Sequence, residues 1–177
     1  RKTLHESAKA DVSDYMVDVK TKMVQAVAIN HMRKEWAIID DSIQGDMDYL
    51  ASIDDGDIEV ISRTQDDNSC VVVYLKSDAP FRYYSYDRKA KKAEFLFVSN
   101  SDLANQPLAK MYPVTIKARE DLDLVCYITI PRWLDNGKGI PSSPIPMVLK
   151  VHGGPNARDN WGYRADAQWL ANRGYAT

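Results

Sequence analysis

The sequence predicts a mixed α/β, β-rich fold in which antiparallel strands precede the start of an α/β layer. Up to residue 98, short apolar segments alternate with polar turns. This pattern is typical of antiparallel sheets, of which a propeller blade is one form. From residue 113 onward, a hairpin leads into an almost wholly apolar segment, a glycine-rich turn and a helix. That order is typical of the opening of an α/β layer.

The antiparallel part contains six predicted strands and one short helix. A helix is predicted over residues 44–53, because Met47, Leu50 and Ile53 recur every three residues. The strand candidates are apolar or β-branched segments bounded by turn residues. They are residues 24–29, 35–40, 58–63, 70–75, 81–86 and 94–98. In the fifth of these, the alternating tyrosines Tyr83, Tyr84 and Tyr86 indicate sheet packing rather than nucleic-acid stacking.

The second part begins with a predicted hairpin over residues 114–130. Residues 131–146 are rich in Pro, Gly and Ser and are predicted to form an exposed loop. Residues 147–151 are almost all apolar, which predicts a strand buried on both faces within a parallel sheet. A helix over residues 163–173 follows, and we expect Gly174 to end it in the left-handed conformation.

The amino-acid composition excludes few functions, and its balance of charge does not favour a charged partner. The 23 Lys and Arg residues nearly balance the 25 Asp and Glu residues, so nothing favours nucleic acid or an anionic membrane as a partner. No apolar run approaches the ~18 residues of a membrane span. Cys70 and Cys126 lie far apart in apolar segments, which favours two buried thiols over a disulfide or a metal site. Residues 54–57 lack the continuation of an EF-hand and are predicted to form a solvated turn rather than a calcium site. No metal and no cofactor is therefore predicted.

The two ends of the sequence suggest a piece of a longer protein. The chain starts without an initiator Met, and it stops just after Gly174, where a new strand is expected to begin. Any targeting signals would then lie outside the given sequence. A soluble protein of the cytoplasm or of the periplasm is compatible with the sequence, and the compartment is not assigned.

The segment His152-Gly153-Gly154-Pro155 directly follows the predicted buried strand. Glycines at the carboxyl end of a parallel strand let the backbone turn and bring an amide N–H close to a ligand. In acyl-transfer enzymes such an N–H stabilises the negative oxygen of the tetrahedral intermediate. The α/β-hydrolases place one donor of this kind in the loop after their third strand. The alternative interpretation is an ordinary turn between a strand and a helix.

Residues 152–162, HGGPNARDNWG, together with residues 168–176, QWLANRGYA, closely resemble the prolyl oligopeptidase family of serine peptidases. The similarity is to its acylaminoacyl-peptidase and dipeptidyl-aminopeptidase branch. The upstream segments that resemble the end of that family's β-propeller are residues 10–14, 33–36, 61–67 and 84–88, while residues 113–119 resemble the start of its hydrolase domain. One departure is Glu120-Asp121-Leu122, where the family has Asp-Gly; it should alter only the hairpin turn.

The resemblance implies that residues 1–112 form the C-terminal part of a β-propeller and residues 113–177 the truncated N-terminal part of an α/β-hydrolase domain. It implies that the Gly154 backbone N–H is an oxyanion-hole donor. His152 and Gly153 would shape the loop, and His152 would not be the catalytic base. The parent protein would be a serine peptidase that hydrolyses short peptides through an acyl-enzyme, without a metal or a cofactor.

The family's catalytic serine lies in a Gly-x-Ser-x-Gly elbow, and this sequence contains no such segment. Ser142 and Ser143 belong to the Pro-rich loop and have no elbow context. Because the nucleophile, acid and base of the triad are all missing, the chain alone is predicted to have no peptidase activity.

The resemblance also implies that the strand starting at Tyr175 lies between residues 124–130 and residues 147–151. With that strand cut short, residues 147–151 would keep unpaired backbone groups on an apolar edge. We therefore expect the isolated chain to form a strand-exchanged homo-oligomer, to rearrange its last part, or to be poorly ordered there.

Two other functions fit the same residues. An esterase or lipase has a related loop, usually HGGG, although Pro155 and the propeller-like segments favour a peptidase. A non-catalytic β-rich interaction module, in which residues 152–155 are only a turn, is the alternative from a different class.

Overall fold

Antiparallel pairing dominates the structure, a computed structural model that describes residues 2–177. The chain divides into two units. The first consists of the residues up to 76 together with 81–101, and the second of residues 77–80 together with 102–177. Among residues 2–177, nine strands pair in antiparallel sheets and two α-helices occur, so the predicted β-rich, antiparallel character of the chain is confirmed.

The first unit contains two antiparallel sheets and one helix. A three-stranded sheet is formed, in spatial order, by β1 (Val12–Val17), β2 (Val24–Asn30) and β3 (Lys34–Ile38). A four-stranded sheet is formed, in spatial order, by β4 (Asp57–Arg63), β5 (Ser69–Leu75), β6 (Arg82–Asp87) and β7 (Lys92–Val98). Helix α1 (Gln44–Ala51) connects β3 to β4. All six predicted strands and the predicted helix are confirmed.

Strand β1 was not predicted, and its composition explains why. It contains two polar residues, Ser13 and Asp14, and only Met16 of its side chains is buried. The strand lies at the edge of its sheet and pairs with β2 along one side only. Backbone pairing therefore holds it in place, and backbone pairing leaves no trace in the hydrophobic pattern.

The core of the first unit forms where α1 packs against the four-stranded sheet. Leu50 of the helix and Val72 and Tyr74 of β5 are almost fully buried. The Tyr74 hydroxyl donates to the Leu50 carbonyl oxygen at 2.8 Å, so the buried phenol keeps a hydrogen-bond partner. Each fully buried aliphatic side chain contributes about 1.5–3 kcal/mol.

The tyrosines of β6 pack within the sheet, as the sequence analysis predicts. Tyr83 stacks on Phe97 of β7, with ring centroids 4.6 Å apart. Tyr84 meets Tyr74 edge to face at 5.4 Å. These are the cross-strand aromatic pairs that stabilise neighbouring strands.

Asp46, in the first turn of α1, is a buried carboxylate with three partners. It accepts hydrogen bonds from Tyr86 Oη at 2.6 Å and from Arg88 Nε at 2.9 Å, and it forms an ion pair with Lys91. Burial alone would raise the pKa of Asp46, but the hydrogen bonds from these three partners outweigh it and hold the pKa below its usual range. The carboxylate therefore joins the helix to β6 and to the basic turn that follows it.

The prediction that residues 54–57 form a solvated turn is wrong for Asp54 and Asp57, although the Asp55 side chain is 75% exposed. The Asp54 side chain is 2% exposed and pairs with Lys76 and Arg82, each at 2.8 Å. The Asp57 side chain is 7% exposed and pairs with Arg33 at 2.7 Å, while burial raises its pKa. The Lys and Arg side chains that pair with these carboxylates come from distant positions in the sequence. The local acidic pattern therefore does not predict that the carboxylates are buried in ion pairs.

The two cysteines are free thiols, as predicted. Cys70 is buried in the core of the first unit, and burial raises the pKa of its thiol to about 11. Cys126 is only half-buried, so the prediction of a buried thiol is confirmed for Cys70 alone.

The second unit contains the predicted hairpin and the predicted helix. The hairpin consists of β8 (Met111–Lys117) and β9 (Asp123–Thr129), and helix α2 spans Ala165–Ala171. The helix begins later than predicted because the backbone of Arg164 is extended. Residues 131–146 form a largely exposed loop, as expected, with one 3₁₀ turn at Arg132–Leu134.

The prediction that residues 147–151 form a strand buried on both faces is wrong. Leu149 is 80% exposed and Val151 is 75% exposed. Only Met147 pairs as a strand residue, in a single parallel bridge with Ala176. Within residues 2–177, no second strand or helix covers these side chains, so they lack the neighbours that would bury them.

The predicted position of the strand that starts at Tyr175 is confirmed. Thr177 and Thr129 of β9 exchange two backbone hydrogen bonds of 2.9 Å. On the other side, Ala176 donates to the Pro146 carbonyl oxygen at 3.0 Å and accepts from the Val148 N–H at 2.9 Å. Residues 175–177 therefore lie between β9 and the segment that precedes the glycine-rich turn.

The turn that terminates helix α2 includes Gly174, whose φ of +87° is the predicted left-handed conformation. The Gly174 N–H donates to the Ala171 carbonyl oxygen and the Tyr175 N–H to the Leu170 carbonyl oxygen, both at 3.1 Å. These are the two hydrogen bonds of a Schellman motif.

We predict that Gly174→Ala lowers the free energy of unfolding by about 1 kcal/mol, because an L side chain disfavours this backbone conformation. An added Cβ at Gly174 would have no heavy atom within 4 Å, so strain in the backbone is the only cost. Gly45→Ala, within α1, is the matched control: its Cβ also enters open space, but it should stabilise by roughly 0.5–1 kcal/mol. Urea denaturation measures both changes, and a shift of the same sign in the two variants would contradict the prediction.

Candidate functional site

The glycine-rich turn, residues 152–155, lies on the surface between the exposed segment 147–151 and helix α2. All four of its residues are exposed. Among residues 2–177, no group accepts a hydrogen bond from the Gly154 N–H. This backbone donor is therefore open to an acceptor supplied by a ligand.

The two glycines of the turn differ in how closely they are packed. Neither has a positive φ, so neither uses the left-handed backbone that glycine permits. An added Cβ at Gly153 would meet nothing within 4 Å, whereas one at Gly154 would lie 3.1 Å from the Asn156 nitrogen. The close approach of the following backbone therefore favours glycine at position 154, because a side chain there would require a small shift of that backbone.

His152 contacts the turn itself. Its Nδ1 lies 2.8 Å from the Gly153 carbonyl oxygen, and its side chain is exposed. This contact holds the imidazole against the backbone of the next residue.

Two hydrogen bonds anchor the residues after the turn to the hairpin. Arg158 Nη2 donates to the Tyr127 hydroxyl of β9 at 3.0 Å. Trp161 Nε1 donates to the Met111 carbonyl oxygen of β8 at 2.8 Å. Residues 156–162 are therefore attached to both strands of the hairpin, which restricts where the turn that precedes them can lie.

Helix α2 is attached to the same unit through Gln168. The Gln168 Oε1 accepts from the Ala109 N–H at 2.8 Å, and its Nε2 donates to the Ala109 carbonyl oxygen at 2.7 Å. Near the start of the helix, Asp166 forms an ion pair with Lys150, just before the turn. Contacts on both sides of residues 152–155 thus fix the ends of the segment that contains Gly154.

Sequence reasoning identified the turn but not its anchors. Arg158 and Trp161 lie in the segment that resembles the family, but the sequence pattern assigns no role to either residue. An indole N–H usually finds an acceptor when it is partly buried, so Trp161 is the residue by which the sequence indicates an anchor. The acceptor, a carbonyl oxygen 50 positions earlier in the chain, could not be found from the pattern.

The loop serines lie where the sequence analysis expects them. Ser142 and Ser143 are exposed, and the Ser142 N–H donates to the Leu134 carbonyl oxygen at 2.8 Å within the same loop. In the described part of the chain, no group of three His, Cys, Asp or Glu side chains is arranged to hold a metal ion. None of the helices found in residues 2–177 has the length and apolar character needed to cross a membrane.

Comparison with known proteins gives two related sequences of the same kind. No family model matches the chain. The chain is 45% identical over 172 residues to dipeptidyl aminopeptidase BIII of Pseudoxanthomonas mexicana, a match that covers 97% of this chain and 25% of that protein. It is 27% identical over 192 residues to dipeptidyl peptidase family member 6 of Caenorhabditis elegans, with 99% of this chain and 26% of that protein covered. Both relatives support the resemblance of this chain to the prolyl oligopeptidase family.

A solved structure shows a similar fold. The crystal structure of Porphyromonas gingivalis dipeptidyl peptidase 4 matches with a TM-score of 0.61 at 20% sequence identity, over 97% of this chain and 24% of that one. The resemblance to this family that the sequence predicts is therefore confirmed. The chain spans about a quarter of the length of the relatives that it matches.

Proposed function

We propose that this chain is part of a serine peptidase of the dipeptidyl-peptidase kind. The observation on which the proposal rests is the 45% identity to a dipeptidyl aminopeptidase across 97% of the chain. Residues 1–112 would be the C-terminal part of a β-propeller, and residues 113–177 the start of an α/β-hydrolase domain. The four-stranded antiparallel sheet β4–β7 supports the first assignment. The order of β9, residues 175–177 and residues 146–148 supports the second.

Within that peptidase, the Gly154 N–H would stabilise the oxyanion formed when a serine attacks the scissile carbonyl of a short peptide. The exposure of this N–H and the absence of an acceptor for it among residues 2–177 support the role. The anchors through Arg158 and Trp161 would keep the donor fixed before substrate binds. A preorganised donor needs no rearrangement as charge develops, and that is the source of its effect.

His152 and Gly153 would shape the turn without taking part in proton transfer. The contact of His152 Nδ1 with the Gly153 carbonyl oxygen supports this, since it directs the imidazole toward the turn's own backbone. The catalytic serine would come from another part of the longer protein, because no Gly-x-Ser-x-Gly segment occurs in this sequence.

For the isolated 177-residue chain, the proposed partner is a second copy of itself. Residues 147–151 expose Leu149 and Val151 and pair only at Met147. An apolar segment with free backbone groups is a template for pairing with another chain. A strand-exchanged homo-oligomer would cover it.

The proposed activity is tested with two proteins, the 177-residue chain and a longer protein that contains it. The longer protein should hydrolyse dipeptidyl amides faster than simple acyl esters, and a serine-directed fluorophosphonate should label it. The 177-residue chain should show neither activity nor labelling. Labelling of the short chain would contradict the assignment of the nucleophile to another segment.

The same assay separates the two alternative functions. Faster hydrolysis of acyl esters by the longer protein would indicate an esterase. A longer protein that shows neither activity nor labelling would indicate an interaction module. The names of both related proteins favour the peptidase.

A further inference from the structure

Asn136 is the one asparagine of the sequence that is followed by glycine. Both residues are exposed, in the loop between the hairpin and residues 147–151. Glycine offers no side chain to hinder its own amide nitrogen, so an Asn-Gly pair is the most open arrangement for attack of that nitrogen on the asparagine side chain. The surroundings of the pair determine whether this reaction is promoted or hindered.

The loop around the pair is held in place at several points. Asp135 pairs with Pro141 in an antiparallel bridge, and the Ser142 N–H donates to the Leu134 carbonyl oxygen at 2.8 Å. Gly139 has a φ of +71° and lies against Tyr112, since an added Cβ would be 2.9 Å from the Tyr112 Cβ. The groups near Asn136 therefore keep defined positions.

Two of those groups are placed as a base and an oxyanion donor. The Gly137 N–H, which belongs to the attacking nitrogen, donates to Asp135 Oδ1 at 2.9 Å. The Lys138 N–H donates to Asn136 Oδ1, also at 2.9 Å. This second bond folds the side-chain amide back over the Gly137 peptide and directs a donor at the oxygen that becomes negative on attack.

Tyr112 completes the arrangement by orienting the carboxylate. Its hydroxyl donates to Asp135 Oδ2 at 2.6 Å, which leaves Oδ1 for the Gly137 N–H. Burial, together with this hydrogen bond to Asp135, raises the pKa of Tyr112 to about 12, so the phenol stays protonated and keeps donating at neutral pH. Nucleophile, base, orienting group and oxyanion donor thus lie within one loop and the strand beneath it.

We propose that Asn136-Gly137 is a self-modification site, at which the Asp135 carboxylate and the Lys138 N–H promote deamidation of Asn136. The Gly137 nitrogen gives its proton to Asp135 and forms a bond to Asn136 Cγ, while the carbonyl electrons move to Oδ1. The bond from Cγ to the side-chain nitrogen then breaks, and that nitrogen leaves as ammonia with the proton held by Asp135. The product is a cyclic imide.

Water then opens the imide at either carbonyl carbon. Attack at Cγ gives aspartate, and attack at the backbone carbon gives isoaspartate, whose main chain runs through the β-carbon. Either product places a new carboxylate beside Asp135. No oxidant, metal or enzyme is required, because the only reagents are the chain and water.

The experiment compares folded and unstructured forms of the same sequence. The 177-residue chain and a synthetic peptide of residues 131–141 are incubated at neutral pH, and deamidation is followed by mass spectrometry with isoaspartate detection. Asn136 should be modified several-fold faster in the folded chain than in the peptide. An equal or slower rate in the folded chain would overturn the proposal.

Two variants distinguish the effect of the Asp135 base on the rate from the effect of an ordered loop. Positioned bases accelerate proton transfer in enzymes by roughly 10²–10⁴-fold, so Asp135→Ser should slow modification at least several-fold. Tyr112→Phe removes the orienting hydrogen bond but keeps the Asp135 carboxylate, so it should slow modification clearly less than Asp135→Ser does. If both variants slowed modification of Asn136 equally, the rate would depend on the order of the loop. That result would overturn the role of Asp135 as a base.

Asn68 is an internal reference in every sample of the 177-residue chain and its variants. It is also followed by a small residue, but the Ser69 N–H donates to the Thr64 hydroxyl at 3.1 Å rather than to a carboxylate. Modification of Asn68 should lag well behind that of Asn136. A faster reaction at Asn68 would count against the proposed surroundings of Asn136.

Discussion

Replacing Gly154 by proline in a longer protein that contains this chain is expected to lower kcat by about 10²–10³-fold, the usual effect of removing one oxyanion donor. Proline has no backbone N–H, so the change removes the donor that the turn exposes. KM should change little, because the interaction is made with the transition state rather than with bound substrate. Steady-state kinetics on a dipeptidyl amide measures both constants.

Two alanine variants serve as controls for this effect. Gly154→Ala keeps the N–H but brings a Cβ to 3.1 Å from the Asn156 nitrogen, so it should cause a much smaller loss of kcat. Gly153→Ala places its Cβ in open space and should be close to neutral. If Gly154→Ala lowered kcat as far as Gly154→Pro, close packing of the turn and not the donor would be responsible.

Asp46→Ala is expected to lower the free energy of unfolding of the 177-residue chain by roughly 3 kcal/mol, the lower end of the cost of breaking a buried ion pair. The substitution leaves the buried Tyr86 hydroxyl without its acceptor and removes one anionic partner of Arg88. Asp48→Ala lies on the same helix at an exposed position and should change stability by less than about 0.5 kcal/mol. Urea denaturation followed by circular dichroism measures both.

The pH dependence of that difference tests whether charge is its cause. The pKa of Asp46 is lowered in the folded chain, so its contribution is present above the unfolded pKa of about 4 and is lost as pH falls through the folded value. The stability gap between the unmodified chain and Asp46→Ala should therefore narrow below about pH 4. A gap that stays constant down to acid pH would assign the effect to packing.

Local patterns predicted the elements of this chain well where the signal itself is local. The strands from β2 to β9 follow alternating or β-branched segments between turn residues, and the end of α2 follows from a single glycine, Gly174. The glycine-rich turn was also found, because residues 152–155 follow an apolar segment directly. In each case, neighbours in the sequence are sufficient to specify the conformation.

The incorrect predictions have a different physical cause. The local sequence predicts surface positions for Asp54 and Asp57, because their cationic partners lie elsewhere in the chain. The apolar character of residues 147–151 predicts burial, but it indicates only a preference for burial and not the presence of a neighbour that would provide it. The hydrogen bonds that anchor the candidate site could not be predicted for the same reason. Trp161 donates to a backbone carbonyl oxygen, which any residue would supply.

The pairing of residues 175–177 with two separate segments has a consequence for synthesis. A ribosome completes the hairpin and residues 146–148 well before it adds Ala176 and Thr177, which pair with both. The growing chain therefore passes through a stage in which the hairpin is formed while Met147 and Val148 still lack their pairing partner. Apolar segments exposed at such a stage are substrates for chaperones, and the delay at this point depends on the rate of translation.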